Sequence, residues 1–255
     1  MITLTSDFGT PYPAAMKGVL LQHTDARLVD IGHDFPRQDV RTTAFWLREV
    51  LPYFPPAVHL VVVDPGVGTD RAALVVRAGD HALVGPDNGV LLPVARELAD
   101  DDPEVFRVTV EDPNSATFHG RDVFAPAAAR VHEAGVDALE TLEDVVPTDE
   151  FEDLGFPDPT VQGGSATGEI LAVDGFGNAI TNVPGEFLNE ADEVEINGIL
   201  GPVEPSYAHV DPGERLVTVG SHGNVELAVN QGRGDEAFDG VAAGDEVRLD
   251  SRPKR

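Results

Sequence analysis

An α/β domain followed by a smaller β-barrel domain is the fold this sequence predicts, and three observations predict it. Over residues 1–150 short apolar runs alternate with stretches of helical periodicity, the mark of strand–helix units in an α/β sandwich. Over residues 165–255 the helical period disappears and short strand-like runs follow one another between turns, as in a small barrel. Residues 151–164 are acidic and rich in Pro and Gly, which reads as an interdomain linker.

The elements follow in order. Residues 2–5 are β-branched or apolar and form a first strand. Residues 14–22 read as a helix and 27–31 as a second strand. In residues 40–51 the apolar Ala44, Phe45, Leu47 and Leu51 fall at helical spacing. Residues 58–63, 72–76 and 81–84 are Val- and Leu-rich strands, and 91–98 and 123–134 are helical. In the second part, 168–173, 179–183, 193–196, 216–219, 224–229 and 246–249 read as strands, and 251–255 as a frayed end. No internal repeat or low-complexity tract is present.

Charge and composition narrow the function. The formal net charge is −28, from 45 acidic and 17 basic residues, and lysine occurs only at Lys17 and Lys254. Such a surface repels nucleic acid and anionic membrane. The imbalance is spread along the chain, as in proteins that stay soluble in the salty cytoplasm of a halophilic archaeon. With no cysteine, disulfides, thiolate metal sites and a Cys nucleophile are excluded. The first residues lack the basic and apolar regions of a signal peptide, and no apolar run reaches membrane-spanning length. A cytoplasmic protein is expected.

Several segments can carry chemistry. The apolar run His59 to Val63 ends in Asp64-Pro65-Gly66-Val67-Gly68, with Arg71 seven residues after Asp64. Strand ends of this kind face the ligand crevice of open α/β sheets, although Asp-Pro-Gly is also a common turn. Ser6-Asp7-Phe8-Gly9 follows the first strand, and an Asp there can grip a vicinal diol or simply cap a turn. Thr117-Phe118-His119-Gly120-Arg121-Asp122 sets a His before a helix, with a Gly that permits close approach of a ligand. Gly85-Pro86-Asp87-Asn88-Gly89 marks a turn. Asp174-Gly175-Phe176-Gly177-Asn178 places an aromatic between two glycines, as contact with a planar ring requires, or forms a Gly-rich turn. Ser221-His222-Gly223-Asn224 is open to the same two readings. Phosphate-cradling and HExxH patterns are absent. Asp7, Asp34, Asp64, Asp87 and His119 could together form an oxygen-rich metal site, which makes a metal-dependent hydrolase one alternative. A non-catalytic nucleoside sensor is another.

Taken in order, these segments, with Met16-Lys17-Gly18, His33-Asp34-Phe35-Pro36 and Glu226 to Gly232, resemble the S-adenosyl-L-methionine (SAM) hydroxide adenosyltransferases, relatives of the fluorinase and chlorinase. The resemblance covers nearly the whole chain. It implies the reaction of SAM with water to give adenosine and L-methionine, with no cofactor and no metal. It places the catalytic residues at Asp64, Arg71 and His119. It implies substrate contacts from Asp7, Phe8, Asn88, Asp174, Phe176, Asn178, Tyr207, Ser221, Glu226, Val229 and Gln231. Asp7 would hold the ribose hydroxyls. Phe176 and Asn178 would lie near the adenine, with Tyr207 as a stacking aromatic, and the backbone near Val229 and Gln231 at its edge. Ser221 would meet the methionine end. In the halogenating relatives an aromatic hydroxyl and a Thr stand at the positions of Asp64 and Val67, and Tyr at that of His119, which favours water over halide here. The resemblance further implies a homotrimer with each site formed by two subunits. One departure is the short loop Thr10-Pro11-Tyr12-Pro13, where relatives carry extra polar residues, so that the amino-acid end of the substrate would be held differently.

Overall fold

A computed structural model describes residues 1–109 and 117–253, which belong to two compact units, Met1–Gly155 and Phe156–Arg255. The first contains β1 (Ile2–Ser6), α1 (Tyr12–His23), β2 (Leu28–Gly32), α2 (Val40–Val50), β3 (Val58–Val62), β4 (Ala73–Ala78), β5 (His81–Pro86), α3 (Leu92–Leu98), β6 (Glu104–Val108), α4 (Ala125–Ala134) and β7 (Val145–Pro147). Its sheet runs β2-β1-β3-β5-β4-β6-β7. The first four strands are parallel and the last three add antiparallel. β3 and β5 are buried along their whole length, as expected of strands covered on both faces. α1 packs on α4, and α2 on α3.

Side chains alternate between the two faces of the sheet. Ile2, Leu4, Val58 and Leu60 share a core with Met16 and Leu20 of α1 and Val131 of α4. The intervening Thr3 and His59, with His81 of β5, point to the other face. There Thr3 Oγ1 lies 2.7 Å from His59 Nδ1, and His59 Nε2 lies 2.9 Å from His81 Nδ1. α2 is capped by Asp39, whose carboxylate accepts from the Thr42 amide at 2.9 Å. It carries the chain's one tryptophan, Trp46, half-buried with its ring centroid 5.0 Å from that of Phe45. The chain leaves β1 for β2 on one side and returns to β3 on the other. The exits of β1 and β3 therefore flank a topological switch point, where open α/β sheets bind ligands.

The second unit contains β8 (Thr160–Gln162), β9 (Ser165–Val173), β10 (Ala179–Pro184), β11 (Ala191–Ile196), β12 (Ile199–Pro202), β13 (Arg215–Val219), β14 (Asn224–Val229), the single-turn α5 (Gly234–Ala237) and β15 (Glu246–Pro253). The sheet order is β12-β11-β15-β9-β10-β14-β13, with β8 added beside β9. A parallel bridge between Val203 and Val217, with the Glu204 amide donating to the Val217 carbonyl at 3.1 Å, draws the two ends together into a nearly closed barrel. Ile170, Val194, Leu227, Phe238 and Leu249 fill it. Where β9 runs beside β10, Gly168 is required: a Cβ there would stand 2.3 Å from Asn182 Oδ1 and 2.7 Å from Val183 Cγ2.

The α/β-plus-barrel fold class holds. The C-terminal end differs from expectation: residues 251–253 continue β15 and pair with β11, because backbone pairing along an existing strand outweighs their polarity. Residues 254–255 lie outside the described residues. β6, β7, β8 and β12 are additional strands. Among the described residues, no helix is long and apolar enough to cross a membrane.

Candidate active site

At the exit of β3, Val63 leads into Asp64, whose side chain is 2 % exposed. The turn that Pro65 and Gly66 impose lets the Gly66 amide donate to Asp64 Oδ1 at 3.1 Å. The same turn brings Arg71 back: its Nε donates to Asp64 Oδ1 at 2.6 Å and its Nη2 to Asp64 Oδ2, a bidentate ion pair. Arg71 lies over the Phe124 ring with its guanidinium carbon 5.0 Å from the centroid. Its Nη2 also donates to His119 Nδ1 at 3.2 Å. Arg has no acceptor, so Nδ1 accepts, and a neutral His119 carries its proton on Nε2. His119 stands at the head of a π-helical turn, Gly120–Phe124, that feeds α4. Gly120 serves packing: a Cβ there would lie 2.9 Å from Met16 Sδ and 3.2 Å from Val62 Cγ1. Gly120 also lines the cavity beside His119.

Asp64 and His119 share a cavity of about 500 Å³ with Asp7 and Phe8. The Asp7 loop is tied to the β2 exit. The Gln38 amide donates to Asp7 Oδ2 at 2.7 Å, and the Gly9 amide to the His33 carbonyl at 2.8 Å. Gln38 adopts a left-handed φ of 60° to make its contact. A further chain runs from Lys17 through Asp30 and His33 to Ser6, with 2.5, 3.0 and 2.7 Å between successive partners. Burial raises the Asp30 carboxyl, but bonds from Lys17 and His33 outweigh it and hold the group below its usual range. Ser6 is fully buried, so this serine–histidine–aspartate series fastens the loop and offers no nucleophile to a ligand.

The second unit has its own cavity, of about 730 Å³. Asp174 Oδ1 accepts from the Phe176 and Asn178 amides at 2.9 and 2.8 Å, an Asx turn that projects Phe176 outward, 80 % exposed. The Asn178 amide group donates to Asp174 Oδ2 at 2.9 Å and to the Tyr207 hydroxyl at 3.2 Å. Tyr207 donates to Glu226 Oε1 at 2.6 Å, and His222 Nε2 lies 3.4 Å from Glu226 Oε2. Burial raises the Glu226 carboxyl, and the bonds from His222 and Tyr207 more than offset it, leaving it below its ordinary value. Burial and that same carboxylate push the Tyr207 hydroxyl far above its usual range, so it remains a donor. Ser221, Val229 and Gln231 also line the cavity, Gln231 with a left-handed φ of 58°.

The expected residues thus gather in two groups. Asp7, Phe8, Asp64 and His119 line one cavity, with Arg71 behind Asp64. Asp174, Phe176, Asn178, Tyr207, Ser221, Glu226, Val229 and Gln231 line the other. Asn88 joins neither: its amide donates to the Val63 carbonyl at 2.9 Å and its carbonyl accepts from the Val90 amide at 3.1 Å, bracing the β3 exit. Sequence reasoning missed Arg37, Tyr12 and Phe118 in the first cavity. Tyr12, Phe118 and Phe8 form an edge-to-face aromatic trio with centroids 5.5 to 6.1 Å apart. The five residues weighed as a metal site do not assemble: among the described residues no three His, Asp or Glu gather as metal ligands, and Asp87 instead accepts from the Glu152 amide at 2.7 Å.

Comparison with known proteins identifies the family. Residues 2–142 match the SAM hydroxide adenosyltransferase N-terminal domain and residues 168–248 its C-terminal domain. The chain is 41 % identical to an (R)-S-adenosyl-L-methionine hydrolase of Salinispora tropica, covering 97 % of both chains. It is likewise 41 % identical to one of Thermus thermophilus, covering 96 % of this chain and 97 % of that one. A crystal structure of a conserved protein from Thermotoga maritima superposes with a TM-score of 0.82 at 33 % identity, covering 98 % of this chain and 99 % of that one.

Proposed function

Because the chain belongs to the SAM hydroxide adenosyltransferase family, we propose that it hydrolyses SAM to adenosine and L-methionine by attack of water on C5′. The observation that carries this reading is Arg71, which donates at once to the Asp64 carboxylate and to His119 Nδ1 beside the cavity that Asp7 also lines. The C5′–O bond forms as the C5′–S bond breaks. The electron pair returns to sulfur, which leaves as a neutral thioether and needs no acid. Water is the weak partner, and holding it in line with C5′ removes much of the entropic barrier. The Nε2–H of neutral His119 orients the water oxygen. Asp64 receives the proton, which passes to solvent, and Arg71 fixes both groups. Asp7, with one oxygen fixed by Gln38, presents the other to the ribose hydroxyls. The ring contacts come from Phe176, Asn178, Tyr207 and the backbone at Val229 and Gln231. A homotrimer in which the first cavity of one subunit meets the second cavity of its neighbour would unite the two groups.

The test is incubation of purified protein with SAM in molar KCl and ¹⁸O-water, without added metal. Adenosine labelled at the 5′ oxygen, methionine and one proton per turnover are expected. Adenosine without label at the 5′ oxygen, or labelled homoserine beside methylthioadenosine, sinks the C5′ route. Loss of activity with EDTA and its return with a divalent ion points to a metal-dependent hydrolase. Chloride-dependent 5′-chloro-5′-deoxyadenosine points to a halogenase, and tight binding without products to a sensor.

A further inference from the structure

Charged side chains line the first cavity at four positions: Asp7, Arg37, Asp64 and Arg121. Asp64 is committed to Arg71, and Arg121 to Asp122 through bonds of 2.6 and 2.7 Å. Arg37 has no hydrogen bond or ion pair among the described residues. Arg77, Arg96 and Arg130, by contrast, sit on carboxylates. The backbone under Arg37 is well anchored. Gln38, next in sequence, is pinned to Asp7, and Asp39 caps α2. The cavity wall therefore presents an uncommitted guanidinium, a planar fork of donors suited to a carboxylate.

The second cavity has the opposite character. Asp174 and Glu226 line it, and no Lys or Arg does. SAM carries two cationic groups, the sulfonium and the ammonium, and one anionic group, the α-carboxylate. Resting on SAM as the substrate, we infer that Arg37 determines specificity by binding the α-carboxylate of its methionyl group.

The test compares SAM with decarboxylated SAM, which keeps the adenosine, sulfonium and ammonium and lacks the carboxylate. Arg37→Met retains the length of the side chain and removes the charge. KM for SAM should rise on the order of ten- to a hundred-fold, the scale of one charge-assisted hydrogen bond, with kcat nearly unchanged. KM for decarboxylated SAM should move less than about two-fold on the same scale. Arg37→Lys should recover part of the preference for SAM, and a thermal melt checks that each variant is folded. Equal losses on both substrates, or no loss on SAM, overturn the inference. If the unaltered protein cleaves neither compound, the hydrolase reading fails on its own. Calorimetric binding of the same two compounds then judges Arg37: a preference for SAM that Arg37→Met abolishes supports the assignment, and no preference overturns it.

Discussion

At the residue scale, Arg71 makes the two groups around it interdependent. Asp64→Asn keeps the shape of the side chain but gives up the ion pair and the proton acceptor, and should cut kcat by at least about a hundred-fold while SAM still binds. His119→Ala should do the same. Asp7→Ala should act on binding instead, raising the dissociation constant by about ten-fold or more, because the ribose hydroxyls lose a charged acceptor. Stopped-flow turnover beside equilibrium binding separates the two effects, and equal loss of affinity in all three variants would refute this division of labour. Asp7 and Asp64 were legible as strand-end acids, each with a turn role as an equal reading, and their roles, with that of Arg71, followed from the ordered set of motifs that carries the family resemblance. Arg37 was not legible. It enters the cavity only because the chain order around β1 brings the β2 exit and the head of the π-helical turn together, a relation that no local spacing encodes.

At the element scale, the sheet buries a pair of imidazoles between strands. His59 on β3 is fully buried, and burial, with the charge of His81 adding to it, pushes its pKa down to about 3. Burial lowers His81 as well. The folded chain therefore keeps His59 neutral where the unfolded chain would protonate it, near 6.5. Stability is complete above that value and declines as pH falls toward about 3, at about 1.4 kcal/mol per pH unit for one site. Urea midpoints between pH 6.5 and 5 should show this slope, and His59→Asn should flatten it while lowering stability at pH 7; an unchanged slope would refute the assignment. Gly120→Ala, which drives a methyl against Met16 Sδ and Val62 Cγ1, should cost about 1–3 kcal/mol, read from the same midpoints. The central strands and the helical apolar spacing of α2 were plain in the sequence. Three of the four strands it concealed are short and marginal: β8 is exposed throughout, β7 ends in Pro147, and β12 carries Gly201 and Pro202. The π-helical turn at residues 120–124 was hidden because apolar spacing does not separate one wider turn from the helix it leads into.

For the whole molecule, the net charge of −28 sets a dependence on ionic strength. At about 0.01 M salt the screening length is roughly 30 Å and the carboxylates repel across the surface; at about 1 M it is roughly 3 Å. The melting temperature should climb with KCl well beyond what an equally excluded neutral osmolyte gives, and a flat response would remove self-repulsion as a factor. The proposed trimer makes a separate demand. Subunits carrying Asp64→Ala mixed with subunits carrying Asn178→Ala should, after dissociation at low salt and reassembly, recover a fraction of the activity that neither variant has. A verified mixed assembly with no activity would sink the shared site. The aromatic inventory adds a practical consequence. Trp46 is the chain's one tryptophan and lies in the first unit, whereas Tyr207 is the second unit's one tyrosine. Each half of the protein thus carries its own optical label, Trp46 emission excited at the red edge for one and Tyr207 ultraviolet absorbance, differenced against a Tyr207→Phe variant, for the other. Superimposable unfolding curves would mean that the halves melt as one cooperative body, and displaced curves that they do not.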